Sequence, residues 1–175
     1  MKKMLCTSAL LALALFASLP ILLAGTQPVA EAAQVKEQSA RASWTKCSGK
    51  TCTDTVIIGT IHGSSKTLSF EETTYHKNTG KVMNRRGGFA RNVDLKQTGL
   101  KSASVAATIS VERCNSQDVC KKAGSVQVKA SWTGKKQTWT DPEDGSRIRD
   151  ATATGTVAGR NLGKLNFATL TERTR

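Results

Sequence analysis

The sequence predicts an all-β protein, an antiparallel β-sandwich of about seven strands, with an immunoglobulin-like sandwich or a small barrel as the alternative architectures. Three observations predict this class. Short segments alternate apolar and polar residues with a period of two. Clusters of Gly, Asn, Asp and Pro separate these segments. After Ala33, no segment sustains a helical apolar period of 3.6 residues for three turns.

The clearest strands are predicted at residues 101–112 and 125–133. In the first, apolar residues occupy the odd positions and mostly Ser and Thr the even ones. In the second, the even positions are apolar and end at Trp132. Such alternation is typical of a strand with one buried face. Six further segments are predicted strands: 40–45, 55–61, 67–75, a weaker 89–95, 150–157 and 164–171.

Turn-forming residues divide these strands. We predict turns at residues 78–80, 86–88, 141–145 and 158–163. The residues expected to point inward are Trp44, Ile58, Leu68, Phe70, Val105, Ile109, Val126, Val128, Trp132, Val157, Leu165 and Phe167.

The N-terminus predicts an export signal. Two lysines precede an apolar stretch, and Ala30-Glu31-Ala32 matches an A-x-A cleavage site. We therefore expect residues 1–32 to be a cleaved secretory signal peptide, 33–38 a flexible mature N-terminus and 39–175 a single domain. An uncleaved membrane anchor is the competing interpretation, which Pro20 within the stretch disfavours. No second apolar stretch follows, so no transmembrane segment is expected after cleavage, and the protein is expected to be secreted or associated with the cell surface.

Cysteine spacing predicts two disulfides. Cleavage removes Cys6 and leaves two close pairs, which export would oxidise. We favour pairing within each cluster, Cys47 with Cys52 and Cys114 with Cys120, over the two other connectivities. A four-cysteine zinc site is the alternative, disfavoured by export and by the C-x5-C spacing.

The search for catalytic chemistry is mostly negative. His62 and His76 are the two histidines, and neither has a partner at metal-ligand spacing. Glu71 and Glu72 are adjacent, so in a strand they point to opposite faces and cannot together flank a glycosidic bond. The chain has no nucleophile-elbow, phosphate-loop or zinc-protease motif. An enzyme with a dispersed serine or threonine site stays open, and no catalytic residue or cofactor is assigned.

The acidic turn at residues 141–145 is the strongest metal candidate in the sequence. Asp141, Glu143 and Asp144 around Gly145 are hard oxygen ligands that suit calcium. The segment lacks the twelve-residue register of a calcium-binding hand, so we interpret it as a Pro-initiated turn and assign no metal.

Positive charge is the main functional signal. The chain has 26 Lys and Arg against 13 Asp and Glu, a net charge of +13, and the predicted signal peptide removes little of it. Most cations fall in predicted connections, which gather at the ends of a β-sandwich. The candidate anion-binding residues are Arg85, Arg86, Arg91, Lys121, Lys122, Lys135, Lys136, Arg147 and Arg149. A dispersed cationic coat that keeps the protein soluble is the alternative.

These features define three function classes. The first is a secreted cationic binding module whose basic loops engage an anionic partner: a cell-wall polymer, an acidic glycan or a lipid surface. The second is a secreted membrane-active, toxin-like β protein, which liposome leakage would distinguish. The third is a protein inhibitor or an enzyme with a dispersed site. Few aromatic residues accompany the cations, which argues against a nucleic-acid groove.

Overall fold

The computed structural model describes residues 36–174, apart from the side chain of residue 166. These residues form nine antiparallel β-strands and their connections. Their bounds are β1 Lys36–Ser48, β2 Thr51–His62, β3 Ser65–His76, β4 Val82–Arg91, β5 Asp94–Thr98, β6 Ser102–Asn115, β7 Cys120–Thr140, β8 Arg147–Val157 and β9 Arg160–Thr174. The predicted signal peptide, 1–32, lies outside the described residues. β1 begins at Lys36, within the stretch 33–38 that we expected to be flexible. No helix long and apolar enough to cross a membrane occurs in residues 36–174.

The all-β prediction is confirmed, whereas the strand count was too low and the two packed sheets of a sandwich are not confirmed. The described strands form one sheet in the order β4-β3-β2-β1-β9-β8-β7-β6-β5. β4 also pairs with β6, so the sequence of strand pairings returns to its starting strand. β5 continues the direction of β4 and pairs with the first residues of β6.

The antiparallel order gives the sheet two ends. The upper end is the one that carries the β1–β2, β3–β4, β6–β7 and β8–β9 connections. The lower end carries the remaining connections and the described chain termini. Both predicted disulfides are confirmed, and both lie at the upper end, where each joins directly opposed residues of a hairpin. They are Cys47–Cys52 and Cys114–Cys120. Because all four thiols are consumed, the zinc alternative is excluded.

The inward faces of the strands build one apolar core. Its largest fully buried side chains include Trp132, Phe70, Ile57, Leu68 and Leu95. Buried alanines of β1, β8 and β9 also belong to this core. Nine of the twelve residues predicted to point inward are buried: Trp44, Leu68, Phe70, Val105, Ile109, Val126, Val128, Trp132 and Val157.

Three inward predictions differ from the structure. Ile57 is fully buried and Ile58 is half-buried, because Ile57 opposes the buried Ala42. Phe167 is 83% exposed, and the predicted alternation Leu165, Phe167 fails at a register shift between β8 and β9. An extra residue at such a bulge reverses which face the following side chains occupy. Leu165 is half-buried and packs against the core.

The Gly87-Gly88 pair lies inside strand β4, so the predicted turn at 86–88 is wrong. A Cβ atom on Gly88 would lie 2.2 Å from the Ser110 carbonyl oxygen, and one on Gly87 would lie 2.9 Å from the Phe70 carbonyl oxygen. Glycine therefore permits β4 to approach its two neighbours closely. The predicted strand at 89–95 is instead divided at Asn92, whose φ of 55° interrupts the sheet between β4 and β5.

Candidate anion-binding surface

The nine cations predicted to bind anions divide between the two ends of the sheet. Four lie at the upper end: Arg85, Arg86, Lys121 and Lys122. Five lie toward the lower end: Arg91, Lys135, Lys136, Arg147 and Arg149. Within β4, Arg86 and Arg91 are separated by about 17 Å at the usual strand rise of roughly 3.3 Å per residue. The fold therefore does not bring all nine into one surface.

A row of three cations crosses the upper end. Arg86 of β4 opposes Arg113 of β6, and Arg113 opposes Lys121 of β7. Directly opposed residues in an antiparallel sheet share a face, with Cβ atoms about 5 Å apart. This face is the inward one, since the buried Val111 lies two residues before Arg113. We call Arg86, Arg113 and Lys121 the cation row.

One buried carboxylate neutralises part of this end. Glu72 of β3 is 5% exposed and opposes Arg86 in the sheet. It accepts hydrogen bonds from the guanidinium groups of Arg86 and Arg160 and from the Thr55 hydroxyl. Its neighbour Glu71 is exposed, as expected for adjacent strand residues. A single carboxylate thus holds two guanidinium groups, which leaves an excess of positive charge beside the row.

The other two members of the row, Arg113 and Lys121, have no such partner. Arg113 and Lys121 are exposed, and no carboxylate of the described residues forms an ion pair with either. Arg86 is different: its side chain is 25% exposed, and burial lowers the pKa of its guanidinium, which stays charged at all physiological pH values. The row therefore presents two uncompensated charges to solvent, next to a third that Glu72 anchors.

The opposite face adds two further cations at the same end. Arg85 pairs with Glu71, with 3.4 Å between the guanidinium Nε and the carboxylate Oε1. Lys122 opposes Glu112 in the register of β6 and β7. These two cations therefore lie beside carboxylates and add less net charge than the cation row does.

Four of the five cations at the lower end have intramolecular contacts. Arg149 Nε donates to the Thr138 hydroxyl at 2.8 Å, and Arg147 lies 4.0 Å from the Glu172 carboxylate. Lys135 lies 5.2 Å from the centroid of the Phe167 ring. Arg91 stacks on its own strand neighbour Phe89 at 5.8 Å. These contacts hold the cations against the protein surface.

Two adjoining depressions lie along β4, β6 and β7 near the cation row. The first, about 520 Å³, is lined by Met83, Asn84, Arg113, Cys114, Asn115, Val119, Lys121, Lys122 and Ala123, and we call it the hairpin depression. The second, about 600 Å³, shares Lys122 and is floored by small residues such as Gly88 and Ser125, with Phe89 at its side. The depressions place cations beside exposed apolar side chains.

The other candidates from the sequence, the two histidines and the acidic turn, line neither depression. His62 and His76 end β2 at the lower end and β3 at the upper end. In the acidic turn, the Asp141 carboxylate accepts the Glu143 amide and Asp144 lies 3.2 Å from Arg173. No group of three or more His, Cys, Asp or Glu in the described part of the chain is arranged to hold a metal ion.

Sequence reasoning missed Arg113 and Arg160. Arg113 continues the odd-position alternation of β6 beyond Val111, so its inward parity was readable from the sequence. Arg160 follows a two-residue turn in which Ala158 and Gly159 both have positive φ, and its contact with Glu72 joins residues 88 positions apart. No local pattern reports that contact.

Comparisons with protein-family models, with curated proteins and with solved structures found no match to this chain.

Proposed function

We propose that this protein is an exported cationic binding module whose upper end engages an anionic partner: a cell-wall polymer, an acidic glycan or a lipid surface. The observation that carries the proposal is the cation row. Arg113 directly opposes both Arg86 and Lys121, and like charges in directly opposed positions destabilise a sheet.

An anion bound across the row would relieve this repulsion. A phosphate, sulfate or carboxylate group can accept hydrogen bonds from two neighbouring cations, and charge-assisted bonds of this kind are the strong ones. Arg86 is held in place by Glu72, so part of the site is preorganised before a ligand arrives. Preorganisation lowers the ordering cost of binding.

Three features support export and an extracellular anionic partner. Both disulfides suit an oxidising compartment. The N-terminal sequence has the three regions of a secretory signal. The net charge of +13 steers anionic partners toward the protein.

The return of the strand pairings to β4 also favours the small barrel among the architectures that the sequence allowed.

The test is retention on immobilised dextran sulfate across a sodium chloride gradient. We expect the double variant Arg113→Gln, Lys121→Gln to elute at much lower salt than the wild type. Lys135→Gln, Lys136→Gln is the matched control, since it removes the same charge at the lower end. Retention that does not change with salt would contradict the electrostatic premise. Equal shifts in the two double variants would indicate a dispersed coat and reject an upper-end site.

A further inference from the structure

The hairpin depression combines cations with exposed aliphatic side chains. Met83 is 50% exposed and Val119 is 54% exposed, and both line the depression beside Arg113 and Lys121. Val119 lies in the turn of the β6–β7 hairpin, and Met83 is the second residue of β4. Single exposed apolar side chains are common on protein surfaces. Here, however, two of them line the same depression as two cations, so this surface offers apolar and positively charged groups together.

From this juxtaposition we propose that the upper end docks on anionic phospholipid bilayers, with Val119 and Met83 entering the interface while Arg113 and Lys121 contact lipid phosphates. The inference rests on the proposed function and narrows its partner to one class. Cations at a negatively charged membrane surface each contribute about fivefold to affinity, and partial burial of aliphatic groups in the interface adds to this.

The apolar residues distinguish a bilayer from the soluble polyanions. An acidic glycan presents charged and hydroxyl groups and offers little apolar surface against which an aliphatic side chain could be buried. Nucleic-acid bases stack on aromatic rings. No aromatic residue lines the hairpin depression. Met83 and Val119 have no planar face for stacking, but both lose water-exposed apolar area on entering an acyl layer. The chemistry of the depression therefore fits lipid better than sugar.

The hairpin is built to present these residues without a large ordering cost. The Cys114–Cys120 disulfide closes it, and the Asn115 side chain accepts hydrogen bonds from the Gln117 and Val119 amides at 2.9 and 3.0 Å. Asp118 is the one carboxylate between Arg113 and Lys122, so the segment keeps an excess of positive charge. A fixed turn loses little conformational freedom when it binds.

The experiment is co-sedimentation of the purified protein with large unilamellar vesicles of phosphatidylcholine, with or without about 30 mol% phosphatidylglycerol. Two double variants are compared with the wild type: Met83→Ser, Val119→Ser and Arg113→Gln, Lys121→Gln. Phe167→Ser is the apolar control, because Phe167 is more exposed than either aliphatic residue and lies on β9, away from the hairpin. Equal thermal midpoints of all variants confirm that each is folded.

We expect the apolar double variant to bind anionic vesicles about tenfold more weakly and the charge double variant about 30-fold more weakly. On dextran sulfate, the apolar double variant should elute with the wild type. If it binds vesicles like the wild type while the charge variant weakens on both supports, the lipid inference fails and the proposed function stands. Equal binding to neutral and anionic vesicles, or a loss confined to Phe167→Ser, would also overturn the inference. No effect of the charge variant on either support would reject both proposals.

Discussion

Replacing Gly88 with alanine should destabilise the protein by about 2–2.5 kcal/mol, because the new methyl group meets backbone atoms that cannot yield. The added Cβ would lie 2.2 Å from the Ser110 carbonyl oxygen and 2.6 Å from Ile109 Cγ2. The first distance is about 0.8 Å below the shortest contacts that Cβ atoms make. Relief requires β4 to move away from β6, where Gly88 opposes Val111 in the last pair of the β4–β6 register.

The magnitude follows from two opposing terms. Overpacking against a rigid backbone costs about 3 kcal/mol at the upper end of the usual range. Alanine also restricts the unfolded chain, which returns about 0.5–1 kcal/mol. For a domain of this size, about 3–4 °C is lost per kcal/mol, so the thermal midpoint should fall by about 6–10 °C.

A glycine series provides the matched control. Gly155 and Gly87 also lie in strands, and the nearest atoms to an added Cβ would be at 3.2 Å and 2.9 Å. We expect the loss of stability to be smallest for Gly155→Ala, larger for Gly87→Ala and largest for Gly88→Ala. The measurement is the urea midpoint of unfolding, followed by far-ultraviolet circular dichroism. An alanine at Gly88 that leaves the midpoint unchanged, or an order unrelated to these distances, would refute the assignment of the glycine pair to a tightly packed strand.

Three further predictions concern buried or partnered polar groups. Burial, together with the charge and hydrogen bond of Asp54, raises the pKa of Tyr75. Because Tyr75 is the only tyrosine in the sequence, an absorbance titration of the protein should have its midpoint above the ordinary tyrosine value of 10.0. The substitution Asp54→Asn should lower this midpoint. Glu72→Gln should cost about 2–4 kcal/mol, since removing one partner of a buried pair leaves charge uncompensated, and an unchanged urea midpoint would contradict the buried network. The hydrogen bond from Lys36 lowers the pKa of Glu172, so the ionised carboxylate stabilises the folded protein above pH 4.5, the pKa in the unfolded chain, and this stabilisation is lost as the pH falls through the lower pKa of the folded state. The difference in thermal midpoint between the wild type and Glu172→Gln should therefore disappear below the folded-state pKa. A difference that stays constant with pH would contradict this reasoning.

Short-range chemistry made much of the fold predictable. Alternation with a period of two depends only on neighbouring residues, and it located β6, the first half of β7, β8 and β1. Disulfide pairing was predictable for the same reason, because cysteines five and six residues apart meet across a hairpin. Alternation fails where a run is apolar on both faces, as at Ile57 and Ile58, or where a bulge reverses the faces, as before Ala168.

The candidate site was predictable only in its residue types. Lys121 was identified from charge, whereas Arg113 was passed over because it stands alone in the sequence. Its significance comes from its position opposite both Arg86 and Lys121. The pairing of β4 with β6 crosses another strand and two connections, so nothing in the local sequence signals it.

Composition and local pattern were thus sufficient to predict an all-β, disulfide-bonded and strongly cationic chain, whereas the export signal stays a prediction. These properties depend on residue identity or on contacts a few positions apart. The meeting of β4 and β6, the burial of Glu72 beneath two guanidinium groups and the assembly of the cation row required the folded chain. They depend on contacts between residues distant in sequence, whose partners are determined by packing of the whole sheet and by the glycines that allow neighbouring strands to approach closely.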